Sequence, residues 1–336
     1  MEWFPALFVN PPFLIWPTLW LGWVGFFLMV VALVIAGWSW WEHLGEILRK
    51  RWWLFLLLTI LTAITASTLA LVPAWTIRPL PGLPLDAKPP AILVFSALPW
   101  VLAAGLLGSF PAAVLGLLSG IVSGLFNSHS PFSALETAGL ALAFSAAIRQ
   151  RYRTPFYRML RHPIGAAAVL SLGFVPVYML TTLFGVNSGI AVRLDFALTQ
   201  TWPTILTRGA ELVLAGAAAE AFYLSKNRWW GKRGELIPSP SEVSLQTRFF
   251  YGTVPLVAAL FLVLTVGDWL VAGNAARRMV KERLASAAQV AADTLPYFIE
   301  TGQSLVLTMA TPELVEAAPD QVAGMLSQRV RSIPFF

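Results

Sequence analysis

Cysteine is missing from all 336 residues, which excludes disulfides, thiolate metal sites and a cysteine nucleophile. Charge is scarce as well: Asp, Glu, Lys and Arg make up 12% of the chain, about half the share in ordinary soluble domains. Histidine occurs three times, and none stands at a metal-ligand spacing from a carboxylate. No glycine-rich phosphate loop follows a strand-like run, and no Ser-His-Asp set stands out. These absences point away from an enzyme, and no cofactor or metal is expected. The first apolar segment has neither a basic leader nor a small-residue cleavage site, which argues against a removable signal peptide.

Hydrophobic side chains fill the space that charge leaves. They account for 57% of residues, and the mean hydropathy is +0.70. A polytopic membrane protein is the common class with such a composition. The 15 Trp and 24 Pro agree with it, because Trp collects at bilayer interfaces and Pro is tolerated in membrane helices. The formal charge of +6 lies mostly in short connections. It therefore reports topology, with the bilayer as partner and no nucleic acid.

Crossing the hydrocarbon core takes about 20 apolar residues. Eight stretches qualify: 17–41, 52–75, 91–107, 110–126, 132–148, 163–184, 202–225 and 249–273. The fold class that follows is all-α, a polytopic transmembrane helix bundle followed by a long stalk helix and short helices. Connections 42–51, 149–162 and 226–248 hold thirteen Lys and Arg, while the opposite-side segments hold only Arg78, Lys88 and Arg193. The positive-inside rule then puts the N-terminus outside and delivers residues 274–336 to the extracytoplasmic side. Arg277, Arg278, Lys281 and Arg283 follow the eighth span directly and pull the other way. A cytoplasmic coiled-coil stalk is the competing placement.

Five blocks result. Residues 1–90 hold two Trp-rich spans and a proline-rich external loop at 79–84, and residues 91–225 a five-helix membrane-embedded unit. Residues 226–248 are a cytoplasmic linker, 249–273 an anchor, and 274–336 the stalk with the start of a sensor domain.

Ionisable groups at membrane depth are costly, and each needs a reason. Glu136 opens the fifth span, and Arg208 and Glu211 sit three apart on one face of the seventh. Arg193 and Asp195 fall in the external loop before it, and His129 lies in the turn before the fifth. On the expected topology all six belong to the outer side of one bundle. Two readings stand: a pocket for a small polar ligand, or pairing of Arg208 with Glu211 or Glu136 that only neutralises charge. Glu220 is expected to reach the interface near Lys226, and His43 and His162 to sit at membrane edges. Gly116, Gly120 and Gly124 recur every four residues. They form a smooth helix face for close packing inside the bundle or against a partner.

The tail has helical periodicity. Val280, Leu284, Ala288, Ala291, Leu295 and Phe298 make one apolar stripe. Gly302 is an expected end of that helix, with Leu305 to Met309 able to resume it. Thr311 as cap and Pro312 in the first position then announce another helix.

On these residues the segment from Ala287 to Phe336 resembles the opening of an extracytoplasmic Cache domain. The shared pattern is a long stalk helix, the Gly302-Gln303-Ser304-Leu305 turn, a short helix after Thr311-Pro312-Glu313-Leu314, and a helix closing on Pro334-Phe335-Phe336. The resemblance implies a ligand-binding sheet, a further span and a cytoplasmic histidine kinase, cyclase, phosphatase or diguanylate cyclase beyond this sequence. It implies no ligand residue here. Residues 52–225 resemble the membrane-embedded sensory modules of bacterial signalling enzymes. By helix count and small-residue content they also resemble the substrate-binding S-components of energy-coupling-factor transporters. The expected function is a multi-pass sensor of the cell membrane, a homodimer that detects a small ligand. The alternative is a small-molecule transporter or S-component-like binding protein.

Overall fold

The computed structural model describes residues 12–38, 44–68, 70–71, 92–226, 229–230, 235–239, 242, 245–309, 316 and 318–331. His43, the proline-rich loop at 79–84, the helix start at 311–312 and the closing 334–336 lie outside them. The helices are α1 (Trp20–Trp38), α2 (Leu44–Thr68), α3 (Leu98–Leu106), α4 (Ser109–Ser123), α5 (Phe132–Arg149), α6 (Pro155–Leu160), α7 (Pro163–Gly185), α8 (Ile190–Ser225), α9 (Leu245–Met309) and α10 (Pro319–Arg331). A two-residue antiparallel ribbon, β1 (Ala70–Leu71) with β2 (Ile92–Leu93), pairs Ala70 with Leu93 and Leu71 with Ile92. The chain divides into two units, Met1–Gly252 and Thr253–Phe336.

Among the described residues five helices are long and apolar enough to cross a membrane: α1, α4 with the π turn Gly124–Ser128 that prolongs it, α5, α7 and α9. The expected all-α helical bundle is thus present, with helices long and apolar enough for a membrane, but several expected spans differ. The apolar part of α2 is only Arg51–Ala66, because the backbone breaks at Arg51 (φ −137°, ψ 31°). The span expected at 91–107 is not one helix. It is an extended strand, a turn and the nine-residue α3, about 14 Å long at 1.5 Å per residue and too short to cross alone.

α3 looked like a span because it is apolar on every side, and the reason is burial in protein. Seven of its residues are buried, from Pro99 to Leu106, with α2, α4, α5 and α8 packed around it. Trp100 meets Phe144 edge-on at 6.1 Å in that core. A tight corner joins α3 to α4. Gly108 takes φ 121°, which a side chain rarely tolerates, and its N–H bonds Ala103 O at 2.9 Å.

α8 is 36 residues long and absorbs the expected loop at 185–201 from Ile190 onward. Arg193 and Asp195 are therefore helical. Lys226 follows α8 directly, and the expected linker is already helical from Leu245. α9 passes through Pro255, Pro296 and Gly302 without ending. One internal glycine costs a helix only about 1 kcal/mol, too little to stop it before Leu305, Val306, Leu307 and Met309.

α4 and α5 come together along the glycine face. A Cβ on Gly116 would meet Thr137 O at 2.8 Å, and one on Gly120 would meet Ser133 O at 2.5 Å and Ala134 Cα at 2.6 Å. Gly124 faces Ser130 O at 2.9 Å. The glycines thus seat one backbone on another inside this chain. α7 and α8 repeat the device at Gly216, where a Cβ would meet Ala167 Cβ at 2.6 Å. Since the neighbours are backbone, Gly120→Ala should destabilise the bundle by about 1–3 kcal/mol. Gly173→Ala, with nothing within 4 Å, should not. Thermal melts of both variants in one detergent check the contrast.

Candidate functional site

The unwound segment before α3 sets the geometry. Non-helical backbone inside a bilayer is tolerated only where protein or enclosed water satisfies it. Leu93 N–H donates to Glu211 Oε1 at 2.6 Å, and Ser96 Oγ donates to Glu211 Oε2 at 3.3 Å. Ser119 Oγ on α4 donates to Ser96 O at 3.2 Å. Glu211 is thus the acceptor that holds the open strand against α8.

Arg208, one turn earlier on α8, completes the arrangement. Its Nη1 donates to Glu211 Oε2 at 3.2 Å and its Nη2 to Ser123 Oγ on α4 at 3.0 Å. Glu136 on α5 approaches from the other side. Its Oε1 accepts a short hydrogen bond from Thr181 Oγ1 on α7, and it lies within the field of Arg208. Glu136, Arg208 and Glu211, with Ser96, Thr137 and Phe174, line one small cavity of about 20 Å³, room for roughly one water molecule. Glu136 stands thirteen residues from Arg149, and Glu211 fourteen from Ser225. Each is about 20 Å along its helix, within the ~30 Å hydrocarbon thickness.

The other three residues expected at this site serve elsewhere. Arg193 is buried and donates to Ser188 O (2.6 Å) and Leu183 O (3.1 Å), so its cation satisfies carbonyls at the end of α7. Asp195 lies on the exposed side of α8. His129 follows the π turn with φ 53° and stacks on Phe13 at 3.8 Å, with Ile15 N–H bonding His129 O at 2.8 Å. Thr18 N–H and Oγ1 both donate to Asn187 Oδ1 at 2.9 Å, and Asn187 Nδ2 donates to Trp16 O at 3.2 Å. Residues 13–18 thus form a strap stitched to the α4–α5 and α7–α8 turns.

Two arginines that only counted toward topology have structural work at the other end of α3. Arg149 Nε and Nη2 donate to Ala104 O (2.8 Å) and Gly105 O (3.2 Å), and Arg51 Nη1 donates to Leu106 O (2.9 Å). Positive charge at a helix C-terminus is favourable, and here it also occupies carbonyls that have no partner within so short a helix. Glu220 pairs with His162 Nδ1 at 2.9 Å, so it joins α8 to the start of α7. The contributing hydroxyls of Ser96, Ser123 and Thr181 went unrecognised. Their one sequence signal is a polar group at a small-residue position within an apolar run.

The chain matches no family model, no curated protein and no solved structure. Its function has to be argued from this chemistry.

The Arg208–Glu211 pair is buried on its carboxylate side, at 22% and 4% side-chain exposure respectively. Removing one partner of a buried pair costs about 3–5 kcal/mol. Arg208→Ala should lose that much, and Arg208→Ala combined with Glu211→Ala should lose less than the sum of the two single changes. A double-mutant cycle on thermal stability reads the coupling.

Proposed function

We propose that this chain is the input portion of a membrane sensor. In this reading the bundle α1–α8 detects a small ligand through the Glu136–Arg208–Glu211 cluster, and α9 carries the consequence out of the membrane. The observation that supports it best is α9 itself. One helix of 65 residues is about 98 Å long, roughly three times what the bilayer requires. Its apolar half, with Phe249, Phe261 and Leu264 exposed, suits lipid, and it continues without a break into a charged, amphipathic half. With Gly302 inside the helix, the stripe through Leu284, Leu295 and Phe298 extends by helical steps to Leu305 and Met309. Such a rod fits pairing with a second copy, and rods of this kind transmit packing changes along their axis. The charge bias of the connections favours an outside N-terminus and an extracytoplasmic 274–309, joined to the Cache-like beginning described by its sequence.

One observation favours a second reading. A broken segment whose backbone is held by a buried carboxylate at membrane depth is a device of solute-binding membrane proteins. A transporter or S-component-like role needs a cavity far larger than one water, so it requires the cluster to open.

Because the chain has no cysteine, Ser286→Cys creates a unique label site. Membrane-impermeant maleimide should modify it from outside intact cells, and reaction only from the cytoplasmic side would reverse the topology. Hydrogen exchange along 274–309 should differ between the parent chain and Glu211→Gln. Identical exchange, together with uptake of a labelled solute into vesicles, would replace the sensor with the transporter.

A further inference from the structure

The two carboxylates of the cluster are not equivalent, and the difference identifies what the site binds. Both oxygens of Glu211 are supplied with donors: Leu93 N–H on Oε1, Ser96 Oγ and the Arg208 guanidinium on Oε2. That is the environment of an ionised carboxylate. Glu136 is nine-tenths buried, and among the described residues only its Oε1 meets a donor, the Thr181 hydroxyl. Its Oε2 meets none there, on a side chain that lines the water-sized cavity.

Charge counting leads to the same place. Two ionised carboxylates beside one guanidinium leave one uncompensated negative charge, about 20 Å into a bundle where lone charge is costly. Among the described residues the charged and titratable groups facing Glu136 are Arg208 and Glu211 from α8 and Tyr178 from α7. Arg208 is already committed to Glu211 and Ser123, and Tyr178 is no cation. Arg193 stands fifteen residues before Arg208 on α8, about 22 Å away by helix rise. Among the described residues the site is one positive charge short.

We infer that the missing charge is a single proton, bound and released by Glu136 through the adjoining cavity, with the Arg208–Glu211 pair beside it. A metal cation suits the site poorly. The cavity admits about one water, its oxygen donors are few, and the guanidinium on its wall repels a cation. In the protonated form Glu136 carries an O–H that can donate to a water in the cavity. Loss of the proton leaves a carboxylate on α5 that is bonded to Thr181 of α7 and faces the side of α8 that bears Arg208. Repulsion from Glu211 and attraction to Arg208 would then shift how α7 and α8 pack. This rests on the sensor reading of the cluster, for which it names the proton as the small ligand.

Infrared difference spectroscopy of the full chain in lipid nanodiscs tests it without any signalling readout. At neutral pH the parent protein should show the C=O band of a buried protonated carboxyl, shifted by D2O. Glu136→Gln should lose it entirely and Glu211→Gln should keep it. Glutamine reproduces the shape of a protonated glutamate, so Glu136→Gln should fold as the parent does. If Glu211→Gln fails to fold, the comparison of parent with Glu136→Gln still decides. A parent spectrum without the band, or a band that survives Glu136→Gln, overturns the inference. A parent without the band whose melting temperature rises with NaCl but not with choline chloride would put a metal ion in the site and likewise overturn it. Should the proton be present while the exchange of 274–309 ignores the cluster, the site stands and the sensor reading falls.

Discussion

An open stretch of backbone inside a membrane bundle must find partners for every amide, and this protein is organised around meeting that demand at residues 92–106. Glu211 takes the Leu93 amide at one end, and Arg149 with Arg51 takes the terminal carbonyls of α3 at the other. The polar residues that hold this short piece come from α2, α4, α5 and α8. Those helices are consequently fixed in register with one another, not merely packed by shape. A carboxylate and two guanidiniums are strong partners because they act in surroundings with little competing water.

The rest of the bundle makes that arrangement possible. Glycine at 116, 120 and 216 brings helix backbones close enough for serine and threonine hydroxyls to reach across. Ser109 and Ser145 join at 2.9 Å between α4 and α5, inside the protein. Trp230 covers the far end of α3, where its ring occupies the place a side chain on Gly105 would take. α1 differs in kind. Trp20, Phe27 and Ile35 are exposed, as suits a helix whose surface lipid would complete.

Much of this was legible in the sequence, and the exceptions share a cause. Apolar runs gave the membrane class and most helices. The i, i+3 spacing brought Arg208 to Glu211, and the cost of buried charge singled out Glu136. The half-helix α3 was read as a span because hydropathy reports removal from water and is blind to whether lipid or protein does the removing. Arg193 is grouped with an outer pocket because it falls in an expected external loop on that side of the bundle. Its actual partners, the carbonyls of Leu183 and Ser188, carry no residue signature. The same holds for Arg51 and Arg149. At Gly302 the two open alternatives resolve toward continuation, because one glycine does not weigh enough to end a helix that Leu305 to Met309 can carry on.

The strap at residues 13–18 has a consequence in time. Thr18 waits for Asn187, 169 residues later in the chain, and Phe13 waits for Leu125 and His129. At ribosomal speeds that delay is roughly ten to thirty seconds. During it α1 sits in the membrane with the strap beside it lacking these contacts. α1, made well before α7 and α8, is therefore secured only when they follow, and the strap acts as a record that they have arrived.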